Sequence, residues 1–304
     1  MNWENIKKFM IILLACANVF LAFMLIGQRS IKIYDDESIE NIKNILSMSG
    51  IEAEEKFLTM KTEDLHIYRC DIPQDYASLV SGYLMNSDVF DTFATPDSVE
   101  FFSEKGEQLS VGKNFDIKYD CGKEISFSQE NEKISKNKEK ELEAILSSIL
   151  LRGEDFGLII ENATTDGGLI KTNIIQTLMD TPIRNHALCC IFENDRVVSI
   201  SGKWCFLTIN EKSSAHLLDS VNILFSEKSS VDIGEANSGS SEKVTATTKS
   251  VRQMEQCYCS HLSNDSSTLY LIPSWHIGWN EEGAEDSYFN AVNGDKTFFE
   301  TIVN

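Results

Sequence analysis

Residues 9–28 run for twenty positions without a charge, from Phe9 to Gln28, between Lys7 and Lys8 on one side and Arg29 and Lys32 on the other. At about 1.5 Å of rise per residue, a helix of that length is roughly 30 Å long, the hydrocarbon thickness of a bilayer. The run predicts a single membrane-spanning helix and confines everything after residue 32 to one side. Because the flanking charges nearly balance, orientation rests on the short tail, residues 1–8, and the large domain behind the span. That arrangement is an uncleaved signal-anchor, with a cytoplasmic N-terminus and an exported C-terminal domain in the cell membrane. Leu13-Leu14-Ala15-Cys16 has the form of a lipobox, but the text stays apolar through Gly27, which would leave a greasy stub at a lipidated terminus. No small-x-small site for cleavage of a secretory peptide follows the apolar core.

Residues 1–32 carry four basic residues and Glu4, so the rest holds 23 basic against 46 acidic residues. An exported part of that charge is repelled by polyanions, which argues against nucleic acid, anionic head groups and anionic wall polymers as partners. Hydrophobic residues at 42% and aromatics at 10% supply the apolar surface for a folded core. Seven cysteines lie beyond the span, an odd number without the spacing of a disulfide framework, and read as small buried hydrophobes.

Apolar periodicity predicts helices over 35–46, with Ser38 as cap, over 76–85, over 136–151 and around 217–225. In the third, Leu142, Ile145, Leu146, Ile149 and Leu150 share one face. Alternation predicts a strand at 65–70 and hairpins at 99–111, 187–209 and 254–279; Val198, Ile200, Trp204 and Phe206 fall on one face of the second hairpin. The serine-rich stretch 226–250 reads as a flexible segment. Leu109-Ser-Val-Gly-Lys113 and Val198-Ser-Ile-Ser-Gly-Lys203 end two similar hairpins, which suggests duplicated units over 29–130 and 131–304. The expected class is α+β: one transmembrane helix, then an exported domain of antiparallel sheets and helices.

Common catalytic signatures are missing, with no Gly-x-Ser-x-Gly, His-Glu-x-x-His, phosphate loop or dinucleotide fingerprint. No enzyme and no cofactor is expected. The alternative is an exported metal-binding or enzymatic domain, in which Cys257, Cys259, His261 and His276 would offer two thiolates and two imidazoles to a zinc ion. Their spacing is atypical, and alternation equally places both sulfurs in a core. Within the span, Asn18 is an amide in hydrocarbon, flanked on its helical face by Ala15 and Ala22. Small residues around an amide let a second helix approach and exchange a hydrogen bond, so this stripe is the expected transmembrane interaction face.

Met1-Asn-Trp-Glu-Asn-Ile-Lys-Lys8, the apolar span with Asn18-Val-Phe-Leu21, and the helix from Ser38 to Ile51 together resemble the YycI family of two-component regulatory proteins in its clostridial form. The runs Val197-Val-Ser-Ile-Ser-Gly-Lys-Trp204 and Tyr270-Leu-Ile-Pro-Ser-Trp-His276 are similar to later segments of that family. The resemblance implies a bitopic, non-catalytic regulator with an α+β domain outside. It implies action with a related YycH-like partner on the sensor histidine kinase of cell-wall homeostasis.

Overall fold

Apolar residues repeat at period two through most of the chain, and the strands they make pair almost entirely antiparallel. The computed structural model describes residues 34–85, 89–123, 132–151, 155–227, 248–263, 268–281 and 283–297. The expected span over 9–28 and its face of Ala15, Asn18 and Ala22 lie outside the described residues. Among the described residues, no helix is long and apolar enough to cross a membrane.

Two sheets share the strands. The first, among the described residues, has the order β7-β8-β9-β10-β11-β6-β5-β4-β3. Its strands are β3 (Val89–Ala94), β4 (Ser98–Ser103), β5 (Gln108–Gly112), β6 (Asp116–Asp120), β7 (Glu132–Lys133), β8 (Phe156–Asp166), β9 (Leu169–Leu178), β10 (Thr181–Glu193) and β11 (Arg196–Lys203). The second runs β12-β2-β14-β13, from β2 (His66–Asp71), β12 (Thr208–Ser214), β13 (Lys249–Leu262) and β14 (Thr268–Trp279). Short strands extend it: β15 (Ser287–Asn290) on β14, β16 (Lys296–Thr297) on β15, and β1 (Ile51–Glu52) parallel to β13.

One helical layer covers each sheet. Helix α3 (Tyr76–Leu84) and helix α4 (Lys136–Leu150) pack Val80, Leu142, Leu146 and Leu150 into a core with Ile174, Leu188, Ile200 and Trp204. Helix α1 (Asp36–Met48), helix α2 (Glu55–Leu58) and a helix over 220–227, α5, bury Leu46, Phe57 and Leu224 against Trp275, Ile277 and Trp279. Each fully buried leucine contributes about 1.5–3 kcal/mol of transfer free energy, so the leucine stripe of α4 outweighs any helix propensity.

The helices fall where periodicity puts them, with local corrections. Asp35, rather than Ser38, caps α1: its carboxylate accepts the Ser38 N–H at 3.0 Å. Strand β11 stops at Lys203, and the buried segment Trp204–Leu207 follows without strand pairing, the Trp204 indole donating to the Leu150 carbonyl at 3.1 Å. Gly202 makes the close approach here possible, because at φ 136° a Cβ would stand 2.2 Å from the Ala187 carbonyl oxygen. Residues 226 and 227 belong to α5 and Lys249 already to β13, so only 228–247 of the expected flexible segment stays outside the description.

The mixed α+β class, mostly antiparallel with few helices, is what the chain forms. The sheet does not divide at residue 130, since β6 pairs with β11 across it. The two look-alike hairpins lie in one sheet, β5 and β11 flanking β6 on either side. The natural division is instead between 89–203, which makes the first sheet, and the flanks 51–71 and 208–297, which interleave in the second.

Leu146 is fully buried. Leu146→Ala is expected to destabilise the fold by about 2–5 kcal/mol, read as a lowered urea midpoint followed by tryptophan fluorescence. An unchanged midpoint would show that α4 does not anchor the first core.

Candidate functional site

Strand β10 serves both sheets, and the polar groups of the molecule concentrate where it changes over. Its ladder with β9 shifts register between Pro182 and Ala187, and Ile183 pairs instead with Tyr258 of β13. In the gap, the Asn185 side chain imitates a peptide group: its Oδ1 accepts the Ser260 N–H and its Nδ2 donates to the Ser260 carbonyl, both at 2.9 Å. Beside it His186, fully buried, links Gln176 and Ser260, each at 2.8 Å.

The tautomer follows from the network. Gln176 Nε2 donates to the Cys205 carbonyl at 2.8 Å, so its Oε1 faces His186 and Nδ1 carries the proton. Nε2 then accepts the Ser260 hydroxyl. The order serine, histidine, amide has the outline of a nucleophile–base–orienter chain, but its chemistry differs. A carboxamide gives no charge to stabilise an imidazolium, and burial, helped by the Lys203 charge, pushes His186 down to about 3. The group is a cross-brace between sheets.

A second network lies on the opposite face of β13. Arg184 donates to Glu161 of β8 and to Glu255 of β13. Glu255 faces Nδ1 of His276 at 3.3 Å, Asp286 faces its Nε2 at 2.8 Å, and Arg252 stands 3.6 Å from Asp286. The His276 ring, 4% exposed, stacks on Tyr288 with centroids 4.9 Å apart. Carboxylates at both nitrogens require a proton on each. Burial opposes that charge, but the bonds to Asp286 and Glu255 outweigh it and raise His276 above its ordinary value. Burial alone would raise Glu255 too; the His276 hydrogen bond and the Arg184 charge hold it at about 2. Signs therefore alternate along Glu161, Arg184, Glu255, His276, Asp286 and Arg252, with the middle of the chain shielded from water.

The four candidate zinc ligands come to one face of this sheet but not to one point. Cys257, Cys259 and His261 follow Glu255 at alternate positions of β13, and His276 pairs with Glu255. His276 and His261 are thus on the order of 20 Å apart along the strand. His276 already spends both nitrogens, and burial pushes the Cys257 thiol well above its ordinary value, opposite to a metal-primed thiolate. Among the described residues, no group of three or more His, Cys, Asp and Glu side chains is placed to hold a metal ion.

Arg184, Asn185, His186, Glu255 and Asp286 escaped the sequence reading. The signal was present in Thr181-Pro-Ile-Arg-Asn-His186, a polar interruption between apolar Leu178 and Ala187. No protein-family model matches this chain, and no curated protein matches it either.

The two histidines couple to folding with opposite sign. His276, raised, stabilises the fold fully below about pH 6.5, and that contribution fades as pH rises through its folded value. His186 binds its proton less well folded than unfolded, so its cost appears as pH falls from about 6.5 toward 3. In urea unfolding across pH, His276→Gln is expected to remove the decline above 6.5. His186→Gln is expected to flatten the rise from 3 to 6.5, by on the order of 4–5 kcal/mol over the window. Curves parallel to the parent's at all pH would refute both assignments.

Proposed function

We propose that the chain is a non-catalytic, membrane-anchored regulator of a two-component sensor histidine kinase controlling cell-wall homeostasis. It acts beside a YycH-like partner, with its N-terminus in the cytoplasm and its α+β domain outside. The observation that carries the reading is the uncharged run 9–28 with the Asn18 amide near its centre, set between Ala15 and Ala22 on a single helical face. In hydrocarbon such an amide gains from a hydrogen bond to a neighbouring helix, and small flanking residues allow the approach. The resemblance to the YycI family gives that neighbour its identity.

Regulation then requires a different affinity of this helix for the two signalling states of the kinase, since equal affinity shifts nothing. The exported domain supports the same reading by its chemistry. Its histidines at the sheet junction are consumed by internal bonds, His186 as a neutral brace and His276 between two carboxylates.

Cysteines placed singly at 15, 18 and 22 are expected to crosslink to the kinase in intact cells, while cysteines at 13, 20 and 24, on the opposite face, are not. Asn18→Leu is expected to weaken the contact by about 0.5–2 kcal/mol and to shift kinase output. Equal crosslinking from both faces, or output indifferent to Asn18→Leu, would sink the proposal.

A further inference from the structure

The sheet edges of this molecule are treated unequally. Strands β1, β7 and β16 have two residues each, and β12 carries Glu211 and Lys212 beside a register shift at Ile209/Glu211. Shortness, charge and bulges are the usual devices that keep an edge from pairing with another chain. Strand β3, Val89-Phe-Asp-Thr-Phe-Ala94, uses them least, with one charge, Asp91, and one bulge near its start. It is six residues long, holds no lysine, and exposes Phe90 and Phe93 at 65% and 60%. Among the described residues β4 is its only paired neighbour.

The free main-chain groups of this edge can be assigned. The Thr95 N–H donates to the Ser98 carbonyl at 2.8 Å, and the register Ala94↔Val99, Phe93↔Glu100, Thr92↔Phe101, Asp91↔Phe102 continues from it without a break. In an antiparallel pair bonded residues alternate, so Phe93 and Asp91 bond to β4 while Thr92 and Ala94 turn their N–H and C=O outward. Consistently, the Thr92 N–H is held by its neighbour's carboxylate, Asp91 Oδ1, at 2.8 Å. One bulge, at Val89/Asp91, limits the open edge to its C-terminal part.

Charge selects the occupant. Residues 89–112 carry five carboxylates, Asp91, Asp97, Glu100, Glu104 and Glu107, against the single Lys105. Phe90, Asp91, Phe102 and Glu107 also line an open cleft of about 340 Å³ beside the edge. A second copy of this chain, at a net charge of -20, would bring Asp91 and its neighbours against their own kind.

We propose that β3 is a docking edge for an extended segment of another protein in which a lysine or arginine stands two residues from an apolar one, so that both fall on one face of the added strand. The segment adds as a further strand, its main chain bonding Thr92 and Ala94, an apolar side chain beside Phe93 and a cation beside Asp91, which shares that face. On docking, a lysine or arginine takes over the Asp91 carboxylate that now holds the Thr92 N–H. This surface is independent of the transmembrane reading, and it stands or falls separately.

The test is selection of a displayed library of random extended peptides on the full chain in detergent, with affinities of the enriched peptides measured at low and high salt. Peptides with a basic and an apolar residue two apart are expected, binding more weakly as salt rises. Thr92→Pro removes the outward donor at a site where an edge strand tolerates proline, and should weaken them about tenfold. Asp91→Lys, a second and solvent-exposed change, should weaken them several-fold and flatten the salt dependence. No enrichment, acidic peptides, binding indifferent to both substitutions, or a chain dimer that Thr92→Pro dissolves would each overturn the assignment.

Discussion

The junction at Asn185 and His186 is the constraint on which the rest of the architecture depends. The two sheets share main-chain bonds through one strand, β10, and although Tyr68, Cys70, Leu269 and Leu271 of the second sheet pack into the first core, the single residue bridge between Ile183 and Tyr258 would fix their register poorly. Side chains complete it. The Asn185 amide supplies the missing pair of peptide-like bonds to Ser260, and His186 carries the connection on through Gln176 to the Cys205 carbonyl. Every member has a partner, which is the condition under which a buried polar network stiffens a fold rather than weakening it. Removing one member would strand the others in a medium where an unpaired polar group costs about 1–3 kcal/mol.

On the other face of β13 the same junction is held by charge. Arg184 reaches Glu161 of β8 and Glu255 of β13, so β8, which pairs only within the first sheet, is tied electrostatically to the second. His276 and Asp286 extend the alternation to the segment that leads into β15. Buried ion pairs are weak evidence for stability, because desolvation offsets much of their attraction. Their value here is positional: a slip of β10 by one residue would part Arg184 from both carboxylates and carry Asn185 off the Ser260 main chain.

Much of this was legible from residue order. The helices Asp36–Met48, Tyr76–Leu84 and Lys136–Leu150 follow their apolar spacing, and the hairpins β4–β5, β10–β11 and β13–β14 follow alternation and turn residues. Strands β8 and β9 were not, although Gly167-Gly168 marks their turn, because Glu161-Asn-Ala-Thr-Thr-Asp166 reads as polar loop text. They are strands because pairing partners, not composition, decide a half-exposed ribbon. Which strands neighbour which was likewise illegible, since hairpin signals act over a few residues, whereas β6–β11 pairing acts over about 80 and β2–β14 pairing over about 200. Of the candidate ligands, the Cys257 and Cys259 sulfurs were read as sharing one strand face; the register adds His261 and His276 to that face, and distance along the strand is what separates them.

The interleaving of the flanks has a consequence in time. Asp71 of β2 pairs with Thr208 and with Thr268, so a central strand of the second sheet waits for partners about 140 and about 200 residues downstream. A chain that emerges from its N-terminal end can complete the sheet of residues 89–203 by itself, while β2 has no neighbour until β12 follows and is enclosed only when β14 arrives. The fold therefore closes like a parcel whose first flap is tucked in last, and the interval before closure is when this protein is most exposed to capture, cleavage or mispairing.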